Sequence, residues 1–147
     1  MVIRAKPMEG IGEGDTAATG NPDLDNLSER VIGCCFEVHK KLGSGFLERV
    51  YENALVIELA KQGLSVRQQV PISVKYDGQA VGEYFADLLI EDQLICELKA
   101  CERLSAEHEV QLVNYLAATG FDVGLLINFG RSVTVKRKFR RYTPQNQ

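Results

Sequence analysis

The sequence predicts an α/β fold: a central mixed β-sheet flanked by helices, in the order α-α-β-β-β-α-β-β. Three observations carry this. Two stretches before Gly63 repeat apolar residues at helical spacing. Three strand-like runs then follow one another across short polar turns. A third helical stretch leads into residues 123–127, a continuous apolar run of the kind found in a strand buried on both faces.

Residues 1–24 are rich in Gly, Asp, Glu, Thr and Pro and lack an apolar period. Such a stretch cannot offset its ordering entropy by burial and is expected to be a flexible leader. The first helix is expected to begin at Asn26, a capping residue with Glu29 three positions later. Val31, Cys34, Cys35, Val38 and Leu42 form its stripe, and Gly43 ends it. His39, Lys40 and Lys41 fall in its last turn, where cations suit the helix dipole. A tight turn through Gly45 leads to a second helix over residues 46–62. Leu47, Val50, Tyr51, Ala54, Leu55 and Leu59 form its apolar face, with Glu48 at the edge. Residues 65–75 are strand-like, and Pro71 argues for a sheet edge or a bulge. Tyr76-Asp77-Gly78-Gln79 is a hairpin turn. Residues 80–90 and 94–99 form the next two strands and complete a meander.

The third helix spans residues 105–119, with Ser105 as cap and Gly120 as stop. Val110, Val113, Leu116 and Ala117 are expected to pack on one side. Gln111 and Tyr115, four apart, share a face. This helix is the crossover of a parallel βαβ unit that ends in the strand at 121–129. Residues 131–142 form a last, basic strand and 144–147 a tail, so the folded domain is expected over residues 25–143.

At 147 residues the chain suits one domain. A chain of this length buries roughly two thirds of its unfolded surface, so it needs no disulfides. No apolar run reaches the ~18 residues of a membrane span, and the start has no secretory pattern. Cys34, Cys35, Cys96 and Cys101 lack zinc-site spacing and read as reduced thiols of a cytoplasmic protein, the first three in packing roles. The net charge of -3 argues against tight non-specific nucleic-acid binding by the molecule as a whole. Basic residues concentrate in the last strand, at Lys136, Arg137, Lys138, Arg140 and Arg141. That segment is either an edge strand protected by charge or a phosphate-tracking surface. His39 has the same two sides: a dipole partner, or a phosphate or metal-shell contact. His39, Lys40, Lys136, Lys138 and Arg140 are therefore the candidate nucleic-acid contacts.

The chemistry concentrates between Asp87 and Lys99. Two apolar runs separated by Glu91-Asp92-Gln93 form a hairpin, and pairing centred on Asp92 sets positions 87 and 97 opposite or nearly opposite each other. Glu97 and Lys99 share a face because side chains alternate along a strand. Two carboxylates and an ammonium then converge. Mg²⁺ is usually held by one or two carboxylates plus waters and substrate phosphate, and a lysine beside it can orient or deprotonate a water. A solvated hairpin face with a Glu/Lys pair is the plainer alternative. Glu48, in the first turn of its helix, is likewise a common dipole partner.

Gly45-Phe-Leu-Glu48-Arg-Val-Tyr51 resembles the Gly-x-x-Glu-x-x-Tyr signature of the GxxExxY proteins, within the PD-(D/E)XK nuclease superfamily. The resemblance runs from about Leu27 to Tyr142. It includes residues 38–45, Ala86-Asp87 with Glu97-Leu98-Lys99, and Gly124-Leu-Leu-Ile-Asn128-Phe129-Gly130. Gln111-x-x-x-Tyr115 is similar to a motif of the exonuclease branch. Ala86 stands where the family pattern has Pro. The resemblance implies a restriction-endonuclease-like core and hydrolysis of phosphodiesters, most simply of DNA, with Mg²⁺ as cofactor and Mn²⁺ as a substitute. It implies that Asp87 and Glu97 hold the metal, that Glu48 is the helical acidic residue, and that Lys99 is the catalytic lysine. Gln111 and Tyr115 would face the active centre. The alternative is a catalytically inactive nucleic-acid-binding or assembly module on the same fold, with a homodimer through the last strand as a further possibility. Exonuclease and endonuclease action both remain open.

Overall fold

The structure is a computed structural model and describes residues 19–140. Its elements follow the predicted order: α1 (Pro22–Leu42), α2 (Glu48–Lys61), β1 (Val66–Tyr76), β2 (Gln79–Ile90), β3 (Leu94–Lys99), α3 (Ala106–Thr119), β4 (Val123–Phe129) and β5 (Val133–Phe139). The strands form one sheet in sequence order, with β1 and β5 at its edges. β3 and β4 run parallel and all other neighbours antiparallel. The parallel pair needs a crossover, and α3 supplies it. Pro71 accordingly sits on an edge strand.

Helices cover both faces. Val31, Cys35, Leu55 and Leu59 of α1 and α2 pack with Leu88, Cys96, Leu98 and Ile127 of the sheet. Leu112 and Leu116 of α3 pack with Leu89, Ile95 and Leu126 on the other side. All seven residues of β4 are buried, as its unbroken apolar run requires. α3 comes close because β4 carries Gly124: a Cβ there would lie 2.9 Å from the Leu112 Cδ1 atom.

Several expectations need correction. α1 starts at Pro22, not after Asn26. The Asn21 side chain accepts from the Asp23 and Leu24 N–H groups, and Pro22 has no N–H to leave unpaired. Residues 22–24 thus belong to the helix. Residues 1–18 of the expected leader and the expected tail at 144–147 lie outside the described residues. α2 starts at Glu48, with Leu47 as its N-cap residue; Leu47 is 79% exposed and Val50 is also exposed, and the core contact is made by Tyr51, Leu55 and Leu59. In α3 the buried stripe is Leu112, Tyr115 and Leu116, while Val110 and Ala117 face outward. Both sets have helical spacing, and the sheet selected the larger side chains.

Tyr51 sets the entry to α2. Its hydroxyl donates to the Gly43 carbonyl at 2.6 Å and accepts from the Phe46 N–H at 3.3 Å. Its ring stacks on Phe129 at 4.6 Å. The turn it clasps passes through Gly45 at φ +108°, which favours glycine. Tyr51→Phe keeps the stack and removes both hydrogen bonds. It is expected to lower stability by about 1–2 kcal/mol, measured by urea denaturation; an unchanged midpoint would contradict the clasp.

Candidate active site

The β2–β3 hairpin turns through Glu91 and Asp92, both in the left-handed region. Pairing runs Ile90↔Leu94, Leu89↔Ile95 and Leu88↔Cys96. The next residues in register are Asp87 and Glu97, and there side chains take over from the backbone ladder. The Asp87 N–H donates to Glu97 Oε1 at 2.8 Å, and the Leu98 N–H donates to Asp87 Oδ2 at 2.8 Å. Each carboxylate is thus tied to the opposite strand. On the other side of β2, Gln69 of β1 drops out of its ladder at φ +52°. Its Nε2 donates to Asp87 Oδ1 at 3.1 Å and to both carboxylate oxygens of Glu52, at 3.1 and 3.2 Å.

Close packing of these carboxylates out of water disfavours their charged forms. Glu97, 6% exposed, is pushed up from its ordinary value near 4.5 to about 8, first by burial and then by the Asp87 charge, with Lys99 pulling the other way. Asp87 is also raised by burial; the Leu98 N–H, the Gln69 amide and Lys99 partly offset this. Lys99 is half-buried, one alternation beyond Glu97 on β3. The segment after it is held by Asn128 of β4, whose amide exchanges two 2.9 Å hydrogen bonds with the Cys101 backbone.

α2 and α3 complete the surroundings. Glu48, Arg49, Glu52, Gln69 and Asp87 line one cavity of about 460 Å³. Glu48 is exposed there and acts on Glu97 through its charge. From α3, Tyr115 is pushed up to about 12 by burial and by the Glu97 and Asp87 charges, and a contact from Gln111 works against the rise. Glu48 and Tyr115 thus approach the Asp87–Glu97 pair from different helices, and Gln111 and Tyr115 line a separate cavity beside α3.

The expected basic contacts are more dispersed. The His39 ring nitrogen Nε2 lies 2.8 Å from the Gly130 carbonyl and ties α1 to the β4–β5 turn. Lys138 pairs with Glu109 at 2.9 Å and Arg140 with Asp122 at 2.8 Å. Arg137 is buried and pairs with Glu29. Lys136 is level with Glu97, two strands away. Lys40 lies exposed near the end of α1.

A family model for the PD-(D/E)XK nuclease superfamily matches residues 25–142. The chain belongs to the PD-(D/E)XK nuclease superfamily. Among solved structures, the chain is similar to an alkaline exonuclease from Laribacter hongkongensis, at 14% identity and a TM-score of 0.48, over 80% of this chain and 70% of that one. No curated protein sequence matches.

Members of this nuclease superfamily generally use divalent metal ions, and the donors present fit one. Asp87 and Glu97 offer only oxygen, with Glu48 and Glu52 in the same neighbourhood. Among the described residues no three His, Cys, Asp or Glu side chains close into an all-protein metal cage. Mg²⁺ does not need one, because it keeps waters and takes substrate oxygens. The sequence did not point to Glu52, Gln69 or Arg49, which line the cavity beside Asp87. Glu52 is 3% exposed, and its place one helical turn after Glu48 is the only trace of that in the sequence.

The raised Glu97 has a consequence for stability. Its folded form holds a proton more tightly than its unfolded form. Stability from this group is therefore fully present below the unfolded value near 4.5 and is lost as pH rises through about 8. In chelator-treated protein, Glu97→Gln should remove that loss. The mutant is expected to gain on the wild type between pH 5 and pH 9 in urea denaturation, and a constant difference would contradict it.

Proposed function

We propose that this nuclease domain hydrolyses DNA phosphodiester bonds with Mg²⁺, Mn²⁺ substituting, and that it belongs to the GxxExxY group. The observation that supports this most is the Asp87–Glu97 pair, two carboxylates each anchored by a backbone N–H of the opposite strand beside Lys99. Anchoring fixes the oxygens while leaving lone pairs for a cation. Asp87 and Glu97 would hold the metal, with Glu48 beside them. A metal bound there would supply positive charge for the scissile phosphate and lower the pKa of a water.

The chain's own groups do the rest. Lys99 orients the attacking water and stabilises phosphate charge. Tyr115 stays protonated across the working pH range and donates a hydrogen bond to phosphate or water. Gln111 orients that hydroxyl. Arg49, exposed on the cavity wall, meets phosphate. The contacts proposed at His39, Lys40, Lys136, Lys138 and Arg140 extend the track; His39, Lys138 and Arg140 would exchange internal partners for phosphate. The free thiols of Cys34, Cys35, Cys96 and Cys101 suit a reducing cytoplasm. No helix among the described residues is long and apolar enough to cross a membrane.

The test is cleavage of labelled single- and double-stranded DNA, with and without free ends, in Mg²⁺ and in Mn²⁺. Lys99→Ala and Asp87→Ala are expected to lower cleavage by about 100-fold or more, with circular dichroism unchanged. Wild-type cleavage in either purified variant would overturn the assignment. DNA binding without cleavage, unaffected by Asp87→Ala, would favour a binding module on the same fold.

A further inference from the structure

Gln69 is a neutral side chain in a place built for a charge. Three carboxylate oxygens, Glu52 Oε1 and Oε2 and Asp87 Oδ1, lie 3.1, 3.2 and 3.1 Å from its single Nε2 atom. An amide NH₂ has two protons for these three acceptors and no charge to offset two carboxylates. Glu52 has further support from Gln68 Nε2 at 2.9 Å and from Arg49 at 3.7 Å, but Arg49 is largely exposed. The backbone adds a second oddity. Gln69 sits inside β1 at φ +52°, where a non-glycine residue is uncommon. That conformation removes Gln69 from the β1–β2 ladder opposite Asp87, and its side-chain amide bonds Asp87 instead.

We propose that Gln69 is a placeholder for the catalytic cation: its amide occupies the gap between Glu52 and Asp87 in the metal-free protein and leaves when a divalent cation enters. Glu52 is then the helical carboxylate that faces the cation, one turn inside Glu48. This rests on the reading of Asp87 as a cation ligand. Gln69 is a positioning residue. It keeps two close carboxylates from separating, at the expense of competing with the metal for the same oxygens.

The competition sets an unusual sign. Removing a direct ligand weakens metal binding, whereas removing a placeholder strengthens it and weakens the metal-free fold. Gln69→Asn tolerates the same backbone conformation but is one methylene too short to bridge. Gln69→Gly relieves the backbone and removes the side chain. The full chain is titrated with Mn²⁺ by calorimetry, beside Asp87→Asn as the control for the site itself, and melting temperature is recorded in chelator. Both Gln69 variants are expected to bind Mn²⁺ on the order of five-fold more tightly than the wild type, and Gln69→Asn, which keeps the backbone conformation, is expected to melt lower in chelator. Unchanged affinity would make Gln69 merely structural, and weaker affinity would make it a ligand; either overturns the placeholder. Wild-type binding that Asp87→Asn leaves intact, or no wild-type binding at all, would instead overturn the reading of the site and the placeholder with it.

Discussion

The structure depends on a hairpin that gives up its backbone ladder one pair early. Up to Leu88 and Cys96, β2 and β3 pair by backbone. At Asp87 and Glu97 the carboxylates receive N–H groups of the opposite strand. A buried N–H must have a partner, and here the partner is a carboxyl oxygen. The arrangement crowds two carboxyl groups together in a poorly solvated place, which disfavours their both being charged, and the raised Glu97 value expresses that. A site of this kind is unfavourable alone and favourable once a cation shares it.

Much of the surrounding fold keeps that end of the sheet in place. Asn128 holds the backbone beyond Lys99. Tyr51 clasps the turn before α2 and thereby sets the positions of Glu48 and Glu52. The parallel β3–β4 pair buries the strand next to Glu97 completely, so the acidic pair is backed by a rigid layer. α3 closes the other side with Tyr115, whose ring also meets Tyr84 at 5.7 Å. Rigid elements supply the groups and the cavity lies where α2 begins, which suits a centre that must hold geometry while admitting a substrate.

The hairpin was legible because the two signals that set it are local. Turn residues at 91–93 between two apolar runs bring Asp87 and Glu97 opposite or nearly opposite each other, and the observed pairing puts them next in register after Leu88 and Cys96. The order of elements was legible for the same reason. What escaped the sequence depended on contacts distant in the chain. Gln69 reads as an ordinary strand residue until its backbone is seen in the left-handed region. Glu52 reads as a solvated helix residue until β1 covers it. Asn26 was a sound cap by composition, but Asn21 with Pro22 was better. The basic last strand looked like one surface, whereas alternation buries Arg137 against Glu29 and sends Lys138 to Glu109. The family resemblance placed Glu48 in the site, and the contacts place Glu52 deeper.

If the Asp87–Glu97 end of the hairpin is a cation site, crystals soaked in Mn²⁺ will show an anomalous diffraction peak within coordination distance of both carboxylates, beside Lys99. A peak elsewhere, or none at this hairpin with the carboxylates still bonded to the opposite strands, would contradict it.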